Sequence, residues 1–170
     1  MTMRNRVLTA LLTAVGLAAG AGDLQPGMKA PAFSAQDQDG RMVSLAEFQG
    51  HKNVCLYFYP KDDTPGCTAE ACSLRDGLGA ILAAGAVVLG VSADDSRSHA
   101  AFAAKFNLNF PILADPDKVI IQAYGVKMLA LPLAKRVTFI IDKTGTIRNI
   151  IRDVNAKEHD QQVLQLIRAL

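Results

Sequence analysis

The chain lacks tryptophan altogether, and aromatic residues make up only 6% of its 170 positions. No basic stretch with interleaved aromatics is present, so a nucleic-acid surface is not indicated. No polybasic run suggests adhesion to a membrane surface. Low-complexity segments and internal repeats are also missing, and half of the residues are hydrophobic. A disordered or fibrous chain is therefore excluded, and one domain with a real core is expected. His51, His99 and His159 are scattered, and none has a second His or Cys at metal-ligand spacing. Surface or capping roles are expected for all three. The residues call for no cofactor and no bound metal.

An excess of charge is missing once the N-terminus is set aside. Arg4 and Arg6 precede an uncharged, mostly apolar run from Val7 to Ala21, and Ala19-Gly20-Ala21 has small residues at cleavage spacing. Residues 1–21 read as a secretory signal peptide, with the cut after Ala21 and a single domain over 22–170. The apolar run has 15 residues, whereas a spanning helix needs about 20. An uncleaved anchor or a buried first helix is the alternative. The first 21 residues hold two of the 18 basic residues and none of the 16 acidic ones, so the rest carries 18 − 2 = 16 basic against 16 acidic residues. An exported, periplasmic protein is expected, without stable membrane association after cleavage.

Cysteine is scarce too: Cys55, Cys67 and Cys72, an odd number for a purely structural disulfide framework. Cys55 sits inside the apolar run Asn53 to Tyr59, which reads as a buried central strand. A structural role suits it. Pro60 ends that run, a loop follows to Gly66, and Cys67 to Ala84 has helical composition with Gly85 as the stop. Cys67 would thus open a helix. The free N–H groups and the macrodipole there favour an anion, and the thiolate is the reactive form of cysteine. Thr64 can bring a hydroxyl to the same place. Pro60 and Pro65 restrict the loop.

Cys72 follows five residues later. In an intact helix the two Cα atoms would stand about 8.5–9 Å apart on faces differing by about 140°. A disulfide needs them within about 7 Å. The pair cannot be a static staple, and bridging requires the first turns to unwind. An inert, buried Cys72 is the bland alternative. Arg75 and Arg136 are the candidate cations beside Cys67, although Arg75 at helical spacing suits a helix-face ion pair. Asp62 and Asp63 read as solvated loop charges.

The remaining pattern is α/β. Pro31 to Gln38 and Met42 to Leu45 read as an N-terminal hairpin across Asp39-Gly40. Ala86 to Ser92 is a buried strand, and Ser96 or Ser98 caps a helix through Phe106. Phe110 to Leu113 is a short strand, and Asp115 to Tyr124 a turn and short helix. Val137 to Ile141 and Ile147 to Ile151 form a second hairpin. Lys157 to Leu170 is an amphipathic helix with Val163, Leu164, Ile167 and Leu170 on one side. A central mixed sheet flanked by helices follows, as a thioredoxin-like fold requires.

The stretch from Phe58 to Asp76, with its Pro60-Lys61-Asp62-Asp63-Thr64-Pro65-Gly66-Cys67 core and the second cysteine at Cys72, closely resembles peroxiredoxins of the bacterioferritin-comigratory (PrxQ) type. Lys135 to Asp142 is similar to the family's Arg-x-Thr-Phe-x-x-Asp strand, and Asn109 to Asp115 matches as well. The likeness covers about Leu24 to Leu170. It implies a thioredoxin-like fold and a thiol-specific peroxidase acting on hydrogen peroxide and organic hydroperoxides. By position it implies Cys67 as the peroxidatic cysteine and Cys72 as the resolving one. Thr64 would bind the peroxide, Arg136 would hold thiolate and substrate, and Pro60 would shield the site, with Glu70 and Arg75 in support. Some relatives carry the resolving cysteine on the following helix; Ser98 to Phe106 holds none here. A thioredoxin or thioredoxin-like reductant and a monomeric state are implied. The segment Lys127 to Ala134 departs from the family in being short and apolar. It is expected to flank the site and to favour alkyl hydroperoxides. A thioredoxin-like thiol–disulfide oxidoreductase is the runner-up, although Cys67 to Cys72 is not Cys-x-x-Cys. A metal module built on Cys67, Cys72 and a histidine is the third reading, without the second ligand pair it would need.

Overall fold

A computed structural model describes residues 23–170; the signal peptide read over 1–21 lies outside them. The strands are β1 (Ser34–Gln36), β2 (Met42–Ser44), β3 (Asn53–Phe58), β4 (Ala86–Ser92), β5 (Ile112–Ala114), β6 (Val137–Ile141) and β7 (Ile147–Ile151). The helices are α1 (Pro65–Ala83), α2 (Ser96–Phe106), α3 (Val119–Ala123) and α4 (His159–Ile167). None is long and apolar enough to cross a membrane among the described residues.

β1 and β2 pair as an antiparallel hairpin. The other five strands form one sheet in the order β5-β4-β3-β6-β7. β3 runs parallel to β4 and antiparallel to β6, so the sheet is mixed. This is the expected architecture, and its cause is legible in β3. Every residue from Asn53 to Phe58 is buried, which is possible only for a strand covered on both faces.

The pleat sends alternate side chains of β3 into two separate cores. Val54, Leu56 and Phe58 join Phe33, Val43, Ile121, Tyr124 and Phe139 under the hairpin and α3. Cys55 and Tyr57 join Leu74, Ile81, Phe102, Val163 and Ile167 under α1, α2 and α4. The second face holds Cys67 in its core.

Several boundaries differ from the sequence reading for identifiable reasons. α1 begins at Pro65, since proline is favoured at the first helical position, where no N–H is required. Cys67 is therefore the third residue of the helix. α2 is capped by Asp95, whose carboxylate accepts from Ser98 N at 2.8 Å; neither Ser96 nor Ser98 is the cap. β5 starts at Ile112, after Pro111, which has no N–H for the ladder. A short 3-10 turn over Leu45–Phe48 was not anticipated; Glu47 Oε1 accepts from Ser44 N at 2.8 Å and so closes its first turn.

α4 lies against α1 at one close approach. Ser73 Oγ donates to Asp160 Oδ1 at 2.7 Å and accepts from Asp160 N at 3.1 Å. Gly77, one turn further on, makes room for Asp160: a Cβ there would stand 2.4 Å from Asp160 Cβ. Gly79 faces open space. Two substitutions on one helix should therefore act oppositely. Gly77→Ala should destabilise the fold by about 1–3 kcal/mol through overpacking. Gly79→Ala should stabilise it by about 0.5–1 kcal/mol through helix propensity. Urea unfolding of both variants checks this, and a stabilised Gly77→Ala would contradict the packing described.

Candidate active site

β3 delivers the chain to the loop Tyr59–Thr64, and the loop delivers it to α1. Thr64 is the N-cap of α1, with extended backbone. Its carbonyl accepts the first helical bond from Thr68 N at 2.8 Å. Its hydroxyl turns away from the helix and donates to Lys61 O at 2.9 Å. Cys67, in the first turn, is a free thiol only 2% exposed. The first-turn N–H groups and the positive helix end surround it.

The cation is Arg136, the residue before β6. Its Nη2 donates to Cys67 Sγ at 3.3 Å, and its Nη1 donates to Glu70 Oε2. One guanidinium thus spans the thiol and a carboxylate one helical turn further along α1. Gly66 makes the approach possible, since a Cβ there would lie 3.1 Å from Arg136 Nη2. Glu70 is fully buried. Burial pushes its carboxyl up to about 7, against the opposing pull of Arg136. Behind it stands His159, also fully buried, with Nε2 at 3.7 Å from Glu70 Oε1. Burial pushes its ring below the ordinary histidine range, and the charge of Arg136 acts in the same direction, while Gln162 and Asp160 oppose it.

The structure brings Cys67, Arg136 and Glu70 into one cluster. Thr64 heads the same helix, although its hydroxyl is engaged with the loop. Pro60 is half-buried at the end of the β3 run. Cys72 is a half-buried free thiol on the same intact helix as Cys67. Arg75 pairs with its chain neighbour Asp76 at 2.8 Å rather than with a residue one turn away, and it also donates to Phe106 O at 2.6 Å. Its guanidinium faces the Cys72 thiol as well. Cys55 is fully buried, and desolvation, reinforced by the charge of Glu70, raises its thiol far above the ordinary range; its structural reading stands. Among the described residues no group of three or more His, Cys, Asp or Glu is placed to hold a metal.

Three expectations are corrected. Asp62 is not a solvated loop charge but is buried. It accepts from Tyr59 Oη at 2.6 Å, from Ser98 Oγ at 2.7 Å and from His99 Nδ1 at 2.8 Å. His99 is not at the surface either. Its Nε2 faces Leu113 O at 3.1 Å, so both ring nitrogens meet oxygen partners inside the core. This buried hydrogen-bonded pair ties the loop before Cys67 to α2 and β5. Burial alone would raise Asp62, but the hydrogen bonds and charge of His99, with Tyr59 and Ser98, hold its carboxyl below the ordinary range. His159 is the third correction, because it lies in the core beside Glu70. His51 is at the surface as expected, and Asp63 is exposed and paired with Lys105 at 2.7 Å.

Both misread histidines left a signal. His99 shares a helical stripe with Phe102 and Ala103, and His159 with Val163 and Ile167, at spacings of three or four. The apolar segment before Arg136 closes as a small hairpin with a Lys127–Ala134 bridge. Leu129 at its tip is fully exposed.

The profile of the AhpC/TSA family matches residues 26–150. The putative peroxiredoxin bcp of Coxiella burnetii is 42% identical over 147 residues, covering 83% of this chain and 97% of the relative. The crystal structure of peroxidoxin BcpB from Mycobacterium tuberculosis superposes with a TM-score of 0.81 at 32% identity, covering 86% of this chain and 98% of that one. The Xanthomonas campestris bacterioferritin comigratory protein, solved in a study of its alkyl peroxide reduction activity, gives a TM-score of 0.76 at 31% identity, over 81% of this chain and 90% of that one.

The Asp62–His99 pair yields a stability test. A depressed carboxyl contributes stability above its unfolded value of 3.8 and loses that contribution as pH falls through the folded value. Asp62→Asn removes a buried carboxylate that accepts from Tyr59, Ser98 and His99 and should cost about 3 kcal/mol at neutral pH. The gap from the unsubstituted protein should narrow as the pH drops below 3.8. Denaturant titrations at several pH values measure it; a constant gap would mean that Asp62 carries no charge in the fold.

Proposed function

This chain belongs to the AhpC/TSA family, among its peroxiredoxins of the BCP/PrxQ type, and from that premise we propose that Cys67 is its peroxidatic nucleophile and Cys72 its resolving thiol. It is a thiol peroxidase, an oxidoreductase acting on hydroperoxides. The observation that carries the residue assignment is the Arg136 guanidinium, which reaches Cys67 Sγ at 3.3 Å in the first turn of α1.

The chemistry follows from that contact. The Cys67 thiolate attacks the distal oxygen of the hydroperoxide. An S–O bond forms, the O–O bond breaks, and the leaving alkoxide or hydroxide takes up a proton. Sulfur is oxidised by two electrons to a sulfenic acid, and the peroxide is reduced to alcohol or water. Arg136 also stands where charge develops on the peroxide oxygens, and such a donor acts strongly in a site shielded from water. Thr64 would turn its hydroxyl from Lys61 O to the substrate, and Pro60 would limit water at the sulfur.

Resolution needs a change of shape. Cys72 attacks the Cys67 sulfenic acid, water leaves, and the disulfide forms. Both cysteines lie in one continuous helix here, so the first turns of α1 must unwind. An external thioredoxin-like dithiol then reduces the disulfide by exchange. The exposed apolar hairpin around Leu129 suits alkyl hydroperoxides. The basic start and apolar run of residues 1–21 support an exported, periplasmic setting, in which the dithiol would be that of a periplasmic relay.

Peroxide turnover with a thioredoxin system tests these roles. Cys67→Ser should be inactive. Cys72→Ser should complete one stoichiometric turnover and then stop. Arg136→Ala should lower the rate of Cys67 oxidation by about a hundredfold or more. Sustained turnover by either cysteine variant would overturn its assignment, and insulin reduction without peroxide loss would favour thiol–disulfide exchange instead.

A further inference from the structure

Glu70 Oε1 is buried and has no hydrogen-bond partner. The group opposite it is His159 Nε2, 3.7 Å away. The protonation of that ring can be read from its neighbours. Gln162 Nε2 donates to Asp153 O at 3.2 Å, and Gln162 Oε1 accepts from Asn155 N at 3.0 Å. Those contacts fix the amide, so His159 Nδ1, 3.0 Å from Gln162 Oε1, must be a donor. In a neutral ring Nε2 is then a bare acceptor, and the Thr138 hydroxyl, 2.8 Å away, donates to it.

An ionised Glu70 and a neutral His159 therefore present acceptor to acceptor inside the core. A single proton resolves the conflict. It can sit on Glu70 Oε1 as a carboxylic acid, or on His159 Nε2 as an imidazolium with the Thr138 hydroxyl turned to accept. The charge of the site points the same way. Arg136 is positive, while ionised Glu70 and a Cys67 thiolate are both negative. Three such charges sum to −1 in a buried place, which is costly. One proton on the Glu70–His159 pair brings the sum to zero.

We propose that His159 is a positioning residue of the peroxidase: together with Glu70 it holds one proton behind Arg136, and that proton neutralises the site while Cys67 is a thiolate. This rests on the reading of Cys67 as the nucleophile. The surroundings add no competing charge from other elements. β3 contributes the uncharged Cys55 and Tyr57, and β6 contributes Thr138. On α4, Asp160 hydrogen-bonds Ser73 at 2.7 Å, and its negative charge also favours a proton on His159. Arg136 is the one cation facing both Glu70 and His159. A Glu70 carboxyl raised to about 7 by burial, despite Arg136, places release of the proton near neutrality. Above that point the site turns net negative, and the thiolate and the charge developing on peroxide are both disfavoured.

The test is the single-turnover rate of Cys67 oxidation by hydrogen peroxide in the full-length reduced protein, followed between about pH 5 and 9. The rate should fall at least ~3-fold on the alkaline side of neutrality. His159→Asn keeps an amide near the Nδ1 position to donate to Gln162 but removes Nε2. Its alkaline limb should move to lower pH by about one unit, because Glu70 then lacks its acceptor. Glu70→Gln should abolish the limb. Infrared difference spectra between acidic and alkaline protein give an independent readout: a carboxylic acid band (proton on Glu70) or an imidazolium band (proton on His159) is lost on the same limb, and neither change is seen in Glu70→Gln. A rate that shows no alkaline fall, or a limb unmoved in His159→Asn, overturns the proposal. Peroxide consumption that survives Cys67→Ser would overturn the underlying reading instead, so the two failures are distinguishable.

Discussion

One guanidinium joins the thiol of α1 to a buried carboxylate, and the proposed chemistry depends on it. Arg136 leaves the sheet at the start of β6 and meets α1 at Cys67 and Glu70, two residues separated by one helical turn. Each part of the fold serves that meeting. Antiparallel pairing of β6 with β3 puts Val137 opposite Phe58, so Arg136 is held beside the end of the strand that feeds the loop. Proline at the first helical position starts α1 early enough to bring Cys67 into its first turn. Gly66 leaves the space through which the guanidinium passes.

The helix that holds the thiol is also the obstacle to the next step. An intact α1 keeps Cys67 buried beside its cation and keeps Cys72 on another face. The proposed Cys67–Cys72 disulfide would dismantle that turn. The anchoring is accordingly asymmetric. The loop before Cys67 is locked by the Asp62–His99 pair, and the far part of α1 is tied to α4 through Ser73 and Asp160. Between these anchors lies the stretch that the proposed disulfide would open.

The amount of this that can be read from sequence follows the range of the interactions. β3, β4, β6, β7 and the amphipathic α4 are dictated by local periodicity, and the pleat of β3 explains both cores. Cys67 is recognisable because its loop and helix are contiguous. Arg136 lies 69 residues from Cys67 and is an ordinary strand-end charge until the family likeness singles it out. Asp62 and His99, 37 residues apart, carry no local mark of being partners. His159 did carry one. It begins the buried stripe of α4 with Val163 and Ile167, yet a histidine is ordinarily assigned to the surface. The cap of α2 was missed because Asp95, Ser96 and Ser98 are all good cap residues within four positions, and only the backbone decides which oxygen meets a free N–H.

A single chemical event distinguishes this account from every other use of three cysteines. Mix the reduced protein with one equivalent of hydrogen peroxide, quench it with a sulfenic-acid trap at short times, and map the label by mass spectrometry. The account predicts the adduct on Cys67 alone, forming before any Cys67–Cys72 disulfide and then giving way to it. An adduct on Cys72 or Cys55, or a disulfide that forms without a trappable Cys67 intermediate, would contradict it.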